Sequence, residues 1–314
     1  MRAPSRFAPQ APHKGEQDDK RYAVYVVKAM LVCPQGVRLP LGAEFCENVA
    51  VGKDGKIAED VKQDSEYRAA RRLCARLREA LPRLPILFAA DSLYACVPIA
   101  KLCRAYRWDF MVVLKEGTMP ALWVDAAKLH ALDGGENTKR QRWRGREQTL
   151  WWVNGIEHEV RNSQGRRRFV FHVVVCEETW VERRADGAEE TKTGRHAWVS
   201  GKALSANNVH ARCNLAARHR WDLEEANRDD KHLENMTHAF SLNWAAIKNW
   251  YLLMLLGMLL RTLALYSVRL WGLVQDRGVK ATLELVKESY GGAWLNLGRL
   301  RAAAMRPAQL RLVW

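Results

Sequence analysis

The feature that most limits the fold is a pair of short apolar segments with a helix between them. Residues 85–90 are apolar without a break and end at Asp91, a pattern typical of a strand buried on both faces, although periodicity alone also allows a helix. Pro98 suits the first turn of a helix that runs to about Tyr106. Residues 109–115 are predicted to form the next strand. The segment therefore predicts a β-α-β unit with a carboxylate at the carboxyl end of a buried strand.

Asp91 has two interpretations at this stage. A carboxylate after a strand is often a turn or cap residue. The carboxyl ends of the strands are also where open α/β sheets bind their ligands. Composition does not separate the two.

A second unusual feature is a predicted helix with a polar stripe. Four residues spaced i, i+4, i+7 and i+11 share one helical face: Arg220, Glu224, Asn227 and Lys231. An amphipathic helix usually carries apolar residues on such a stripe, so the simplest interpretation is a solvated face. The opposite face is nearly as polar, however. A metal-and-phosphate site would explain a helix that is polar almost all round.

These residues resemble motifs of bacterial insertion-sequence transposases with a DDE active site. The R-x3-E-x6-K spacing matches the greater part of their Y-x2-R-x3-E-x6-K signature, although Ala217 stands at the Tyr position. Upstream, residues 91–95 (DSLYA) resemble the family's D-x-L-Y-A, in which Asp is the second catalytic acid. Residues 62–66 resemble its K-N/Q-D-C-E segment, and residues 238–248 and 251–254 resemble the stretch after the Glu. The resemblance covers roughly residues 22–265.

The resemblance implies an α/β fold, an RNase H-like mixed sheet with flanking helices and a β-rich insertion before the last catalytic acid. The corresponding segments are a disordered tail at 1–20, the first part of the catalytic domain at 21–117, the insertion at 118–200, a helical part carrying Glu224 at 201–275, and a basic C-terminal helical segment at 276–314.

Local patterns refine this outline. They predict strands at 22–33 and 37–51 around a turn at 34–36, an amphipathic helix at 63–81 with Asp64 as its cap, strands from about 118 to 196, and helices over 206–273 and 280–289.

The resemblance also implies the chemistry. Asp91 and Glu224 would bind magnesium, two ions in the complete site, with manganese as a substitute; such ions suit carboxylate ligands and promote attack at phosphorus. Arg220 and Lys231 would serve catalysis by holding DNA phosphates near the metals, and Asn227 would orient a ligand or a phosphate. We therefore expect the carboxylates of Asp91 and Glu224 to face each other across a cleft.

The basic character of the chain predicts a polyanionic partner. The 314 residues carry a net charge of +15. In the insertion, Arg166, Arg167 and Arg168 are predicted to bind double-stranded DNA. The resemblance implies that this DNA is a transposon end and that two copies of the chain bind it as a homodimer. Nearby tryptophans either stack on DNA or pack the insertion's own core, and the sequence leaves both alternatives open.

The composition also indicates where the chain works. Seven cysteines without a CxxC pair indicate reduced thiols rather than a disulfide framework or a zinc site. The first residues lack the apolar region of a signal peptide. The longest apolar run, residues 250–260, is too short for a membrane span and predicts a core helix. We expect a bacterial cytoplasmic, nucleoid-associated protein without a membrane partner.

The first acid of a DDE site has no counterpart in the sequence. Asp18 and Asp19 lie in a polar tail, so Met1 is expected to start inside an interrupted transposase frame. We expect the isolated chain not to cleave DNA at a useful rate, and an upstream strand with its Asp to restore magnesium-dependent cleavage. Should the chain cleave unaided, Glu44 and Glu47 would be the first substitutes to consider, and Asp18 and Asp19 the next.

Three functions remain open. The first is a transposase-family protein with an incomplete site, and the second is an inactive DNA-binding remnant or regulatory subunit. The third is an unrelated basic α/β nucleic-acid-binding protein. Two motifs in the family's order, with a β-rich segment between them, disfavour the third.

Overall fold

One mixed sheet of six strands, flanked by helices, organises the middle of this computed structural model. The structure describes residues 8–9, 22–33, 37–47, 64–162, 165–184, 187–233, 243–267 and 270–291. Contacts divide the chain into two compact units, one formed by residues 74–225 and the other by residues 1–73 with 226–314. The α/β class expected from the sequence is therefore observed.

The described strands are β1 (Ala8–Pro9), β2 (Tyr22–Ala23), β3 (Val26–Val32), β4 (Arg38–Phe45), β5 (Leu87–Ala90), β6 (Asp109–Val113), β7 (Thr138–Trp143), β8 (Arg146–Asn162), β9 (Gly165–Arg183) and β10 (Glu189–Ser200). The described α-helices are α1 (Glu66–Ala80), α2 (Val97–Tyr106), α3 (Pro120–Leu132), α4 (Val209–Asn214), α5 (Arg220–Leu233), α6 (Trp244–Leu265) and α7 (Trp271–Gly291), the last broken at Gly278.

The sheet in residues 74–225 has the strand order β5-β6-β10-β9-β8-β7. The β5 and β6 strands pair in parallel, from Leu87 with Asp109 to Ala90 with Val112. Helix α2 connects them, so the predicted β-α-β unit is confirmed. All other neighbours in this sheet are antiparallel. The strands after α3 thus extend the same sheet as the β-α-β unit.

Helices cover both faces of the central strands. Val173, Val174 and Val175 are fully buried in β9, which requires apolar cover on either side of the sheet. On one face, Trp152 and Val174 pack in a cluster with Val209 and Cys213 of α4. On the other face α3 lies against β8, where His130 stacks on Trp151 with 4.2 Å between ring centroids.

The strand prediction for the segment from 118 is wrong at its beginning, because α3 occupies residues 120–132. Pro120 starts the helix, where its missing N–H costs nothing. Leu122 and Ala126, four residues apart, are both buried on one side of the helix. Gly134 and Gly135 follow with positive φ angles and turn the chain towards β7. The short helical pattern of this segment was assigned to strands because the sequence after it is β-rich.

The β8 and β9 strands form a hairpin that extends beyond the sheet. β7 and β10 pair with the part of this hairpin nearest the sheet. Seven further cross-strand pairs, from Ile156 with Phe171 to Asn162 with Gly165, join only β8 and β9. A bulge between Val153 and Ile156 marks the departure point. We call this extension the ribbon, which consists of residues 156–162 and 165–171.

The other unit contains the predicted amino-terminal hairpin. β3 and β4 pair antiparallel with a bulge at Ala29 and Met30, which confirms the two expected strands; the expected turn at 34–36 lies outside the described residues. Phe45 of β4 contacts Trp244 and Tyr251 of α6 edge to face, at 5.9 and 5.6 Å between centroids. Aromatic contacts of this kind anchor α6 on the hairpin.

Two details of this unit differ from the predictions. Ser65, rather than Asp64, caps α1, since its hydroxyl accepts from the Arg68 amide at 3.3 Å; Asp64 instead binds Arg72 at 2.7 Å. The predicted core helix α6 is buried on one side only, because Leu253 is 62% exposed while Met258 is buried. An apolar run does not reveal how many of its sides are covered. No helix among the described residues is long and apolar enough to cross a membrane.

A buried ion pair ties α4 to the start of β6. Arg212 donates to both carboxylate oxygens of Asp109 at 2.7 and 3.0 Å, and each side chain is only 11% exposed. Arg212→Met should lower the free energy of unfolding by about 3 kcal/mol, because it removes the bidentate partner of a buried carboxylate and leaves it with Lys202 at 3.8 Å. Urea denaturation would measure this loss.

Arg183→Met provides the control, since Arg183 pairs with Glu189 where both side chains are more than half exposed. Its loss should cost less than about 1 kcal/mol. Equal losses in the two variants would contradict a stabilising role for the Asp109–Arg212 pair.

Candidate functional site

Asp91 lies where the sequence predicts it, directly after β5. Its carboxylate accepts a hydrogen bond from the Leu93 amide at 3.0 Å and so caps a single 3-10 turn at Ser92–Tyr94. The residue is exposed. Both interpretations of Asp91 thus have a physical basis: the side chain caps a turn, and its oxygens remain accessible at the carboxyl end of a parallel strand.

The helix predicted for the R-x3-E-x6-K segment is confirmed as α5. Arg220 donates to Glu224 at 2.5 Å across one turn, and the Glu224 side chain is 47% exposed. The Arg220 guanidinium also lies over the Trp221 ring, 5.5 Å from its centroid. Asn227 is exposed, and Lys231 lies within α5 with its side chain outside the described residues. The structure therefore brings together Arg220 and Glu224 of the predicted stripe.

The predicted meeting of Asp91 with Glu224 stays a prediction. Each carboxylate has its own partner, Leu93 for the first and Arg220 for the second. Within the described ranges, no three His, Cys, Asp or Glu side chains gather in a group that could hold a metal ion. Both residues belong to the same compact unit.

The suggested substitutes for a first acid are engaged elsewhere. Glu44 pairs with Arg72 at 2.9 Å, and Glu47 pairs with Lys248. Asp18 and Asp19 lie outside the described residues.

The arginines predicted to bind DNA lie on the ribbon. Arg166 pairs with Glu159 at 3.2 Å and Arg168 with Glu157 at 3.1 Å, all four side chains being well exposed. The Arg167 side chain is outside the described residues. DNA would have to compete with a glutamate at each described arginine, which reduces what these positions can contribute to binding.

The most elaborate polar cluster of residues 74–225 was not predicted. Its centre is Glu178 of β9, whose side chain is completely buried. Arg146 donates to one carboxylate oxygen at 2.6 Å, and Arg218 donates to the other at 2.7 Å. Gln148 and His196 complete the shell at 3.0 and 3.1 Å. A buried carboxylate is tolerated only with such partners.

Further amides extend this cluster towards α4. The Gln148 oxygen accepts from Asn214 at 2.9 Å and from Gln141 at 3.0 Å. His210 Nδ1 lies 2.8 Å from the Gln141 amide nitrogen. A continuous hydrogen-bonded layer therefore joins β7, β8 and β9 to α4.

Charge balance in the cluster changes the titration of its members. Burial by itself would raise the pKa of Glu178, but the hydrogen bonds from Gln148, Arg146 and Arg218 and the charge of Arg218 outweigh it and lower the pKa to about 2. Burial and the charge of Arg218 lower the pKa of His196 against the opposing effect of Glu178. Glu178 is therefore charged at neutral pH, with two guanidinium groups around it.

Two tryptophans of the β-rich segment follow the packing alternative, while stacking on DNA stays a prediction. Trp151 and Trp152 are buried and pack the sheet core. Trp143 instead stacks with arginines, since the guanidinium carbons of Arg144 and Arg218 lie 4.8 and 5.1 Å from its ring centroid. Arg218 thus contacts both Trp143 and Glu178, two residues before Arg220 begins α5.

One sequence signal could have revealed this cluster. Val174, Cys176 and Glu178 occupy alternate positions of β9 and share the face that α4 covers, so a carboxylate continues an apolar row. Gly194 stands opposite Glu178, and a Cβ there would lie 3.2 Å from the Trp180 ring. The identity of the partners is not local, because Arg146 and Arg218 are 32 and 40 residues away.

Two concave regions of about 740 and 550 Å³ adjoin one another on the other face of the same sheet. Arg140, Thr149, Glu177 and Arg195 line both, one residue from each of β7, β8, β9 and β10. The register places these four side chains in a row. Neither region includes Asp91 or Glu224.

Comparisons with known proteins add no assignment: no family model matches the chain, and no curated protein matches it.

The Glu178 cluster should make the protein sensitive to acid. Because the folded-state pKa lies below the ordinary value of 4.5, Glu178 contributes stability above that value and loses it as the pH falls from 4.5 to about 2. Glu178→Gln should reduce this acid-dependent loss. At pH 7 it should lower the free energy of unfolding by about 2–4 kcal/mol, since two guanidinium groups lose their counter-charge.

Chemical denaturation at a series of pH values would measure both effects. Glu177→Gln is the matched control, because the Glu177 side chain is 51% exposed on the same strand. Indistinguishable pH profiles for the two variants would contradict the importance of the buried carboxylate.

Proposed function

We propose that this chain is a transposase-family protein for DNA strand cleavage and transfer at insertion-sequence ends, with an RNase H-like fold and a DDE site whose first Asp has no counterpart in the sequence. The observation that carries the proposal is the position of Asp91 directly after a parallel strand, in a sheet that also anchors the chain leading into α5. Asp91, the β-rich strands and the Arg220–Glu224 helix follow one another in the order of the family motifs. The net charge of +15 suits a DNA partner.

The donor chemistry of the two acids fits magnesium or manganese. Asp91 and Glu224 offer oxygen ligands on exposed side chains, and hard cations prefer such ligands. Metal ions bound there would supply Lewis acidity for phosphodiester cleavage and strand transfer. On binding a metal ion, the Asp91 carboxylate would give up its hydrogen bond from the Leu93 amide. The Glu224 carboxylate would likewise give up its ion pair with Arg220.

The polar stripe of α5 would then hold the DNA. Arg220 is charged and positioned by both Glu224 and Trp221, so a phosphate approaching Glu224 meets a preorganised guanidinium. Asn227 and Lys231 would extend these contacts along the same face. Arg166, Arg167 and Arg168 would add weaker contacts on the ribbon. The family further suggests a homodimer on transposon ends in the bacterial cytoplasm.

A second candidate function is DNA binding without catalysis, as a remnant or regulatory subunit. The Asp91 capping bond and the Arg220–Glu224 ion pair favour it, because both acids already have structural roles. The two candidates differ in one property, namely whether Asp91 and Glu224 share a metal.

Iron-directed cleavage would distinguish them. Ferrous iron occupies oxygen-ligand sites, and with ascorbate and peroxide it cuts the backbone beside its ligands. We expect fragments that end near both Asp91 and Glu224, and we expect excess magnesium to suppress them. Either Asp91→Asn or Glu224→Gln should abolish both cuts, since the two acids bind as one site. Mass spectrometry would locate the fragment ends.

Glu225→Gln is the control, because Glu225 is a neighbouring carboxylate on the same helix. It should leave both cuts unchanged. Cuts near only one acid, or two cuts that respond independently, would overturn the shared metal site and leave the non-catalytic alternative.

A further inference from the structure

Helix α2 and the residue that follows it carry three cations and no acid. Lys101 and Arg104 lie one turn apart, and Arg107 follows at the end of the helix in a left-handed conformation with φ of 57°. Arg104 and Arg107 are exposed, and Lys101 is partly exposed.

Neutral groups hold two of these cations in place. Lys101 Nζ lies 5.0 Å from the centroid of the Phe169 ring, and the Arg104 guanidinium carbon lies 5.7 Å from it. Arg104 also donates to the carbonyl oxygen of Val170 at 2.6 Å. Cation–π contacts and a backbone acceptor position a side chain without cancelling its charge. Both anchors belong to the ribbon, so α2 and the ribbon form one surface.

The charges of the row are uncompensated in the part of the chain that the structure describes. There, no carboxylate pairs with Lys101, Arg104 or Arg107. Most exposed arginines of the neighbouring strands differ in this respect, because a glutamate pairs with each of the following: Arg142, Arg166, Arg168, Arg183 and Arg184. The field of the row extends into the protein, where Arg104 and Arg212 add to the effect of burial in lowering the pKa of His172.

We propose that Lys101, Arg104 and Arg107 form a docking surface for the phosphodiester backbone of a nucleic acid. This inference rests on the proposed function and adds DNA contacts outside the α5 stripe and the ribbon arginines. When a nucleic acid binds, these three cations release only anions from solution, because no carboxylate pairs with them in the described part of the chain. They should therefore contribute more per residue than arginines already paired. Arg104 and Arg107 also complement the helix dipole, which by itself predicts a contribution to stability and none to binding.

Salt-dependent binding of equal-length single-stranded and duplex DNA would test the proposal. The first variant carries Lys101→Gln, Arg104→Gln and Arg107→Gln. The control variant carries Arg142→Gln, Arg183→Gln and Arg184→Gln, and so loses the same three charges from ion-paired positions. Fluorescence anisotropy would give the slope of log K against log salt for each protein.

The α2 variant should reduce the magnitude of the duplex slope by roughly 2–3, at about 0.9 for each phosphate contact. The control should change it by less than about 0.9. An equal reduction in both variants would overturn the proposal, because net charge alone would then explain it. Reduced thermal stability with an unchanged slope would also overturn it in favour of the helix dipole. A larger effect on the duplex or on the single strand would identify which backbone is bound.

Arg107→Asn guards against misfolding, because asparagine tolerates the left-handed conformation that Arg107 adopts. It should reduce the slope by about one contact while leaving the melting temperature unchanged. An unchanged slope in this folded variant would remove Arg107 from the surface. Failure of the unaltered chain to bind either DNA would instead count against the proposed function itself.

Discussion

Three cross-strand pairs between β6 and β10 join the two halves of the sheet. Met111 pairs with Ser200, and Val113 pairs with Trp198. Without them the parallel β5–β6 pair and the antiparallel strands would form separate sheets, each with an uncovered edge. The junction also determines where the chain goes next. Gly201 passes so close to Phe110 that a Cβ would lie 2.7 Å from its ring, and only glycine allows this approach.

Each step after the junction depends on the one before it. With β10 fixed beside β6, α4 is placed so that Arg212 reaches Asp109. The next turn brings Arg218 to Glu178, the buried acid at the centre of the sheet. Arg220 then begins α5 two residues later. The candidate active-site helix is thus attached to the sheet through successive ion pairs, one at the edge of the core and one within it. This arrangement explains why a sheet with so apolar a centre tolerates a buried carboxylate.

The parts of the fold predicted from the sequence depend on local patterns. The β-α-β unit was readable because apolar runs, Pro98 and the chain spacing all agree within about thirty residues. The polar stripe of α5 could also be predicted, because the spacing of its four residues is a local pattern. Helix α3 was missed because its short apolar period was assigned to the β pattern that follows it. The partners of Glu178 could not be predicted, because they depend on strand register and on the placement of α4. An acid within an apolar row indicates that a buried partner exists, but it does not identify that partner.

The ribbon has a consequence for how this chain tolerates changes in length. Its seven pairs, spanning roughly 20 Å at the usual rise per residue, contact each other rather than β7 or β10. At its base Asn154 exchanges two hydrogen bonds with the Leu204 backbone, both at 2.8 Å, and this holds the register on the sheet side. Adding one residue to each strand near the tip would lengthen the ribbon, and deleting one from each would shorten it. Either change would leave every pair below it in place. Removing a residue from one strand alone would turn the remaining side chains to the opposite face. Related sequences should therefore differ here by matched insertions, while the strands beneath the ribbon keep a constant length.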